Sequence, residues 1–401
     1  MRNRSTKRQR GFSLLEMVVA TALGTVVVGA AVQLYVQGVS ATWVVSQRAE
    51  MQQDFRAASN MLTKDLSLAG AGLGNGAEIQ LPTSSTIPIY GCDQSKCYLP
   101  PSTTNGVQYP KQSGTPYLYG LVPGYNAGPT LSGQPTDTVT VVYTDPAFYL
   151  DCYTAAITGT ATVVFTQPTV TSANCTANSA TVQNVNDTAV GLTAGDLVLF
   201  CVGNTSPCPQ VIAEVTGAVT QGTNGSGQTT FTVPFATSDK LNMNQAAAVP
   251  QTLASKYVAS PLTTAFGSRI LVITYYIDNT VTPSRLMRQI SGHTPMPVAE
   301  SVAYMKFTYD LFNASTNTPA VGCSNPGASA ANPINGVTTD GCSQASAGLL
   351  PNQITKINVQ NMAIDSSLQG SSYGMGKGYQ TLDLETSVSA RNLTYINNYP
   401  N

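Results

Sequence analysis

The pattern of apolar and polar positions divides this chain into a long helical start and a strand-rich remainder. From Phe12 to about Leu34 nearly every residue is apolar. At about 1.5 Å of rise per residue, such a run crosses a hydrocarbon core of about 30 Å. The periodicity then continues in another form: Met51, Phe55, Ala58, Leu62 and Leu66 recur at steps of three and four. Gln47, Arg48, Glu50, Asp54, Arg56, Lys64 and Asp65 take the other positions, as on an amphipathic helix. The spacing predicts one helix from Phe12 to Ala69. Gly70, Gly72, Gly74 and Gly76 end it, because repeated glycines abandon helical pairing and admit left-handed turns.

Between Ala77 and Gln134 the chain is rich in Pro, Gly, Ser and Thr and reads as loop with short strands. Tyr109, Tyr117, Tyr119 and Tyr125 read as anchors pinning these loops, with a partner surface as the other reading. Strand patterns follow at Asp137–Tyr143, Thr160–Phe165, Asp196–Val202, Val211–Val215, Thr229–Val233 and Arg269–Ile277. Residues Ile270–Ile277 are apolar on both alternating faces and predict a central strand, with Arg285–Ile290 pairing back on it. Ala303–Tyr309 and Leu382–Arg391 alternate strictly, which predicts strands buried on one face. Asn313–Leu350, rich in Asn, Ala, Ser and Gly, reads as an inserted loop. The fold class is therefore α+β: a long helix, membrane-spanning in its first half, packed on a β-rich head with long disulfide-stapled loops.

Composition adds to this picture. The chain has 401 residues, 42% hydrophobic and 10% charged, enough for a real core and a charge content that suits an exported β-rich domain. Nineteen Lys and Arg face 20 Asp and Glu, but Arg2, Arg4, Lys7, Arg8 and Arg10 all precede Gly11. The remainder holds 14 cations against 20 acids, which disfavours a nucleic-acid surface built from bulk charge.

The eight cysteines, Cys92, Cys97, Cys152, Cys175, Cys201, Cys208, Cys323 and Cys342, all lie beyond the apolar segment and read as disulfides. Pairing sequence neighbours gives 92 with 97, 152 with 175, 201 with 208 and 323 with 342, while other connectivities stay open. Metal ligation would need tighter clusters or added histidines, and His293 is the only histidine. It reads as a loop side chain between Gly292 and Thr294. No triad, P-loop or dinucleotide fingerprint occurs, so neither an enzyme nor a cofactor is expected. The glycine-rich stretch Gly370–Gly378 reads as a loop without phosphate-binding context.

The amino-terminal stretch carries the functional signal. A secretory signal peptide places its small residue after the apolar run, whereas Gly11 stands before it. Cleavage at Gly11 would remove the basic leader, free an amine on Phe12 and leave Glu16 near the start of an apolar helix. A carboxylate there costs roughly 2.5–3.5 kcal/mol on insertion scales and requires a partner or a task.

Gly11-Phe12-Ser13-Leu14-Leu15-Glu16 behind a basic leader resembles the class III signal of type IV prepilins. The head is similar to PilW-like minor pilins at Asp65–Gly70, Gly195–Leu199, Tyr275–Ile277, Arg285–Arg288, Val298–Val302, Phe307–Tyr309 and Ser387–Asn392. The resemblance implies a pilin-like head, cleavage by a prepilin peptidase at Gly11 and N-methylation of Phe12. It also implies that Glu16 sets axial register against the Phe12 amine of another subunit. It divides the chain into a leader (1–11), a transmembrane part (12–36), an outer helix (37–69) and an exported head (70–401). The leader charge implies a single pass through a bacterial inner membrane, amino end cytoplasmic and head periplasmic, before transfer to a pilus.

The expected partners are other minor and major pilins, met through the helix. The expected role is a low-copy structural subunit that aids assembly initiation or sits at the filament tip. A large pseudopilin of a type II secretion system, or a tip module binding an adhesion ligand or DNA through the loops at 77–134 and 313–350, are the other readings.

Overall fold

The computed structural model describes residues 11–74, 78–82, 117–145, 147–167, 185–203, 209–239, 241–259, 265–290, 293–313, 316–328, 337–343, 349–365 and 381–393. The chain forms two compact units. One comprises residues 1–53 with 366–380, the other 54–365 with 381–401.

A single helix, α1, spans Leu14–Ser67. Within the first unit it is long and apolar enough to cross a membrane, and its apolar side chains from Leu14 to Tyr35 are largely bare. The threonine hydroxyls in this stretch are satisfied internally. Thr21 Oγ1 donates to the Met17 and Val18 carbonyls at 3.0 and 2.9 Å, and Thr25 Oγ1 to those of Thr21 and Ala22 at 3.1 and 2.8 Å. A threonine bonded this way presents only its methyl outward, which suits a lipid environment.

In the second unit the last turns of α1 pack on strands. Ala58, Leu62 and Leu66 are fully buried, with Phe55 packed beside them, in a core shared with Val139, Val141, Ile273 and Phe307. Burying each leucine contributes about 1.5–3 kcal/mol. The glycine stop then works by close approach. Gly70 and Gly72 have φ of 77° and 74°, and the Gly70 N–H donates to the Val142 carbonyl while Thr144 N–H donates to Ala71, both at 2.9 Å. A Cβ on Gly72 would lie 1.9 Å from Thr144 Oγ1, so the backbone runs against the sheet only because no side chain intervenes.

An 11-stranded sheet is built on the 14-residue strand Ala265–Asp278. One edge of this strand pairs with Leu197–Val202 and then with Arg285–Ile290. The other touches Thr154–Gly159 at Ala265 and pairs with Thr138–Thr144. The central strand and its return partner were thus legible in the sequence. The faces bury different cores: Val139, Val141, Tyr143 and Tyr275 face α1, whereas Val142, Ile270 and Val272 join Leu197, Leu199 and Ile212. A third core forms around Phe165, Phe200, Phe231 and Phe235.

A separate four-stranded antiparallel sheet orders Thr318–Cys323, Val302–Asn313, Ile354–Asp365 and Thr381–Ser389. In Val302–Asn313 the odd positions 305, 307, 309 and 311 are buried, as the alternation requires.

Two expectations need correction. The start of the insertion is ordered strand, since Thr318–Cys323 pairs with Val302–Asn313 and Ala320 and Cys323 are buried. The strand Ile354–Asp365 has no period-two pattern that predicts it, because bulges in its pairing interrupt the alternation.

Among the tyrosines of the 77–134 region, Tyr119 is fully buried, as an anchor should be. Tyr109 lies outside the described residues, as does the glycine-rich stretch Gly370–Gly378. The Cys323–Cys342 disulfide closes a sequence separation of 19. Cys152 and Cys201 are also disulfide-bonded, to partners outside the described residues, and the proposed pairings involving Cys92, Cys97, Cys175 and Cys208 lie there too.

Candidate functional site

The residues singled out by the sequence lie at the amino end of α1. Gly11, Phe12 and Ser13 precede the first helical residue, Leu14, and all are exposed; Phe12 is 86% exposed. A Cβ built on Gly11 meets nothing within 4 Å, and Gly11 is not among the glycines with positive φ. The fold of this chain therefore places no demand for glycine at position 11.

Glu16 has an occupation that sequence reading missed. Ser13 is the N-cap residue: its Oγ accepts a hydrogen bond from the Glu16 N–H at 3.2 Å, and Glu16 Oε2 accepts one from the Ser13 N–H at 3.0 Å. This reciprocal pair is a capping box, which satisfies two otherwise orphaned donors of the first turn. Its signature, Ser-x-x-Glu before an apolar run, stands in the sequence at 13–16. The carboxylate also lies at the positive end of the helix dipole. Local bonding and the dipole thus reduce the cost of Glu16 before any partner subunit is invoked.

The other end of α1 holds a second carboxylate, Asp65, predicted on the polar side of the stripe but buried to 3% exposure. Asp65 Oδ1 accepts from the Tyr143 hydroxyl at 3.1 Å. Its Oδ2 accepts from the Tyr275 hydroxyl at 2.6 Å and from Arg288 Nε at 2.8 Å. Strand register explains the convergence, since Tyr275 and Arg288 are direct cross-strand partners. Burial, then the charge and hydrogen bond of Asp65, push both tyrosine hydroxyls well above their ordinary range. For Arg288, burial lowers and Asp65 raises, and the net direction is up. Thus Asp65, Tyr275 and Arg288, from three separate stretches of the sequence, meet at one point and fasten the helix to the sheet.

Three further pairs brace the head. Asp137 accepts from Lys306 Nζ at 2.7 Å and from the N–H groups of Asn126 and Phe307 at 2.8 and 3.1 Å. Burial raises its carboxyl, and Lys306 only partly offsets this. Arg269 pairs with Asp145 and lies 4.2 Å over the Phe148 ring. His293 is not a free loop side chain: its Nε2 lies 2.8 Å from Asp196 Oδ1. The hydrogen bond to Asp196 raises the imidazole above its ordinary value, with burial opposing.

With this geometry in hand, the comparisons are informative at the amino end. The family model for the prokaryotic N-terminal methylation motif matches residues 6–32. No curated protein and no solved structure matches the chain. The matched motif supports a type IV pilin-like or pseudopilin protein. Together with the apolar helix it supports anchoring in a membrane.

Proposed function

We propose that this chain is a minor pilin of a type IV pilus, a structural, non-enzymatic subunit that aids assembly initiation or occupies the filament tip. The observation that carries the reading is the methylation motif over residues 6–32, a range that includes Gly11 and Phe12. The second support is bulk. A head of more than 300 residues on one pilin helix would crowd a repeated lattice, whereas a tip position leaves room above it. On this reading a prepilin peptidase cuts after Gly11 and the new Phe12 amine is methylated. The mature chain waits in the inner membrane with its amino end cytoplasmic and its head periplasmic, then joins other minor and major pilins through α1.

In the assembled bundle Glu16 would meet the Phe12 amine of a neighbouring subunit, in a low dielectric where pairing is strong and mispairing costly. The capping box makes this testable, because glutamine also serves at its third position. Glu16→Gln should preserve the helix start yet impair incorporation into filaments. Normal piliation with Glu16→Gln would overturn the register role.

For the reading as a whole, Gly11→Val should accumulate unprocessed precursor, and mature-sized protein from that variant would defeat the leader assignment. Deleting the gene should reduce surface pili while leaving type II secretion intact. The opposite outcome would favour the pseudopilin alternative.

A further inference from the structure

The four-stranded sheet of the head has a bulge in its interior. Against Val302–Asn313, the register of Ile354–Asp365 passes from Asn361 opposite Lys306 to Val359 opposite Phe307. Against Thr381–Ser389, it passes from Val359 opposite Thr386 to Met362 opposite Leu384. The middle strand therefore carries one residue more than both of its neighbours at Gln360–Asn361. An extra residue bends a strand, breaks its alternation and re-aims side chains, and such bulges gather at functional sites.

At this bulge the outer face is concave. Met305, Phe307, Ile357 and Val388 belong to the core on the inner side. Opposite them lies an open depression of about 600 Å³, lined by Tyr304, Lys306, Asn358, Gln360, Glu385 and Ser387. That volume falls within the range of small-ligand sites.

The lining chemistry narrows the ligand. Lys306 is already held by Asp137 at 2.7 Å and sits 5.1 Å from the Tyr125 ring centre. Glu385, also on the lining, is exposed. A polyanion would thus meet a neutralised cation and a carboxylate, which disfavours it. An apolar ligand would strip water from amides and hydroxyls without replacing their hydrogen bonds, which is costly. What remains is a ligand whose groups both donate and accept. Asn358 Nδ2 donates to Asp310 Oδ1 at 3.2 Å, an arrangement that steadies its amide plane. Gln360 supplies a second amide, Glu385 and Ser387 add an acceptor and a hydroxyl, and Tyr304 offers an aromatic body with a polar tip.

We propose that this depression binds a neutral saccharide, one or two sugar units in extent. The proposal does not depend on the filament reading, since every residue used belongs to the head.

The test uses the full chain in lipid nanodiscs, free of sugar-based detergents. It is screened on an array of neutral and anionic glycans and then titrated by calorimetry with the best neutral oligosaccharide. At least one neutral glycan should bind. Gln360→Ala and Glu385→Gln, both at exposed side chains, should each weaken it by about tenfold, the order expected for one or two lost hydrogen bonds, with thermal unfolding unchanged. Thr318→Ala, on the far edge strand of the same sheet, should leave binding unaltered. Retention of anionic polymers only, or neutral binding equal in wild type and the Gln360→Ala/Glu385→Gln double variant, would overturn the proposal.

Discussion

Glu16 and Asp65 are carboxylates near opposite ends of one helix, and the chain treats them differently. Glu16 is exposed, and among the described residues its carboxylate accepts only from the backbone N–H three residues before it. Asp65 is buried and receives three side-chain donors from strands more than 70 residues away in sequence. The first end is self-sufficient in hydrogen bonds but leaves its apolar surface bare, from Leu14 at 83% exposure to Tyr35 at 73%. The second end buries Ala58, Leu62 and Leu66 together with its carboxylate. At its bare end the helix thus offers an apolar surface long enough to cross a membrane.

Changes to Asp65 should produce the largest effect. Asp65→Ala leaves the Arg288 guanidinium and two tyrosine hydroxyls without their acceptor, and should destabilise the head by about 3–5 kcal/mol in denaturant unfolding. Adding Arg288→Met should recover part of that loss. Additive losses would show that the pair does not act as a unit.

Removing the staple comes next. Cys323→Ser with Cys342→Ser should cost about 3 kcal/mol for the loop it releases, again read by head unfolding. An unchanged midpoint would mean that the hairpin around Thr318–Cys323 holds the loop unaided.

At the bare end the effect should be smaller and local. Ser13→Ala removes one half of the capping box and should cost about 1 kcal/mol of first-turn helix stability. Faster amide exchange at residues 14–17 would report this, with head unfolding unaltered. A change in head unfolding would mean that the two ends are coupled.

The smallest effect is pH-dependent. His293 is raised in the folded protein by its hydrogen bond to Asp196. Its stabilisation is therefore full below its ordinary value of 6.5 and is lost as pH rises through the folded value. The melting temperature of wild type minus that of His293→Gln should be positive at about pH 5 and shrink by about pH 8. A difference independent of pH would assign His293 a packing role only.

Legibility followed the range of the interactions. The helix, its glycine stop and the strand at Ile270–Ile277 were readable because each depends on neighbours within a few residues. The Ser13–Glu16 box was equally local, and its four-residue signature could have been read. Ile354–Asp365 was hidden because Ile354, Ile357, Val359, Met362 and Ile364 are spaced by alternate steps of three and two. Only bulged pairing with both neighbours makes that spacing a buried face.

Asp65 shows the same limit at a single residue. In sequence it is one more charge beside an apolar stripe, and nothing local distinguishes it from Asp54 or Lys64. Its burial depends on Tyr143, Tyr275 and Arg288 arriving on three other strands. His293 likewise gains its role only through Asp196, 97 residues distant.

The sequence by itself determined the N-terminal methylation motif, the membrane-length helix and the β-rich character of the head, because these rest on composition, order and short-range periodicity. The tertiary structure alone decided which charges are buried, which strand lies inside the second sheet and where a depression opens on it. Those outcomes depend on contacts between distant segments, whose register no local pattern encodes.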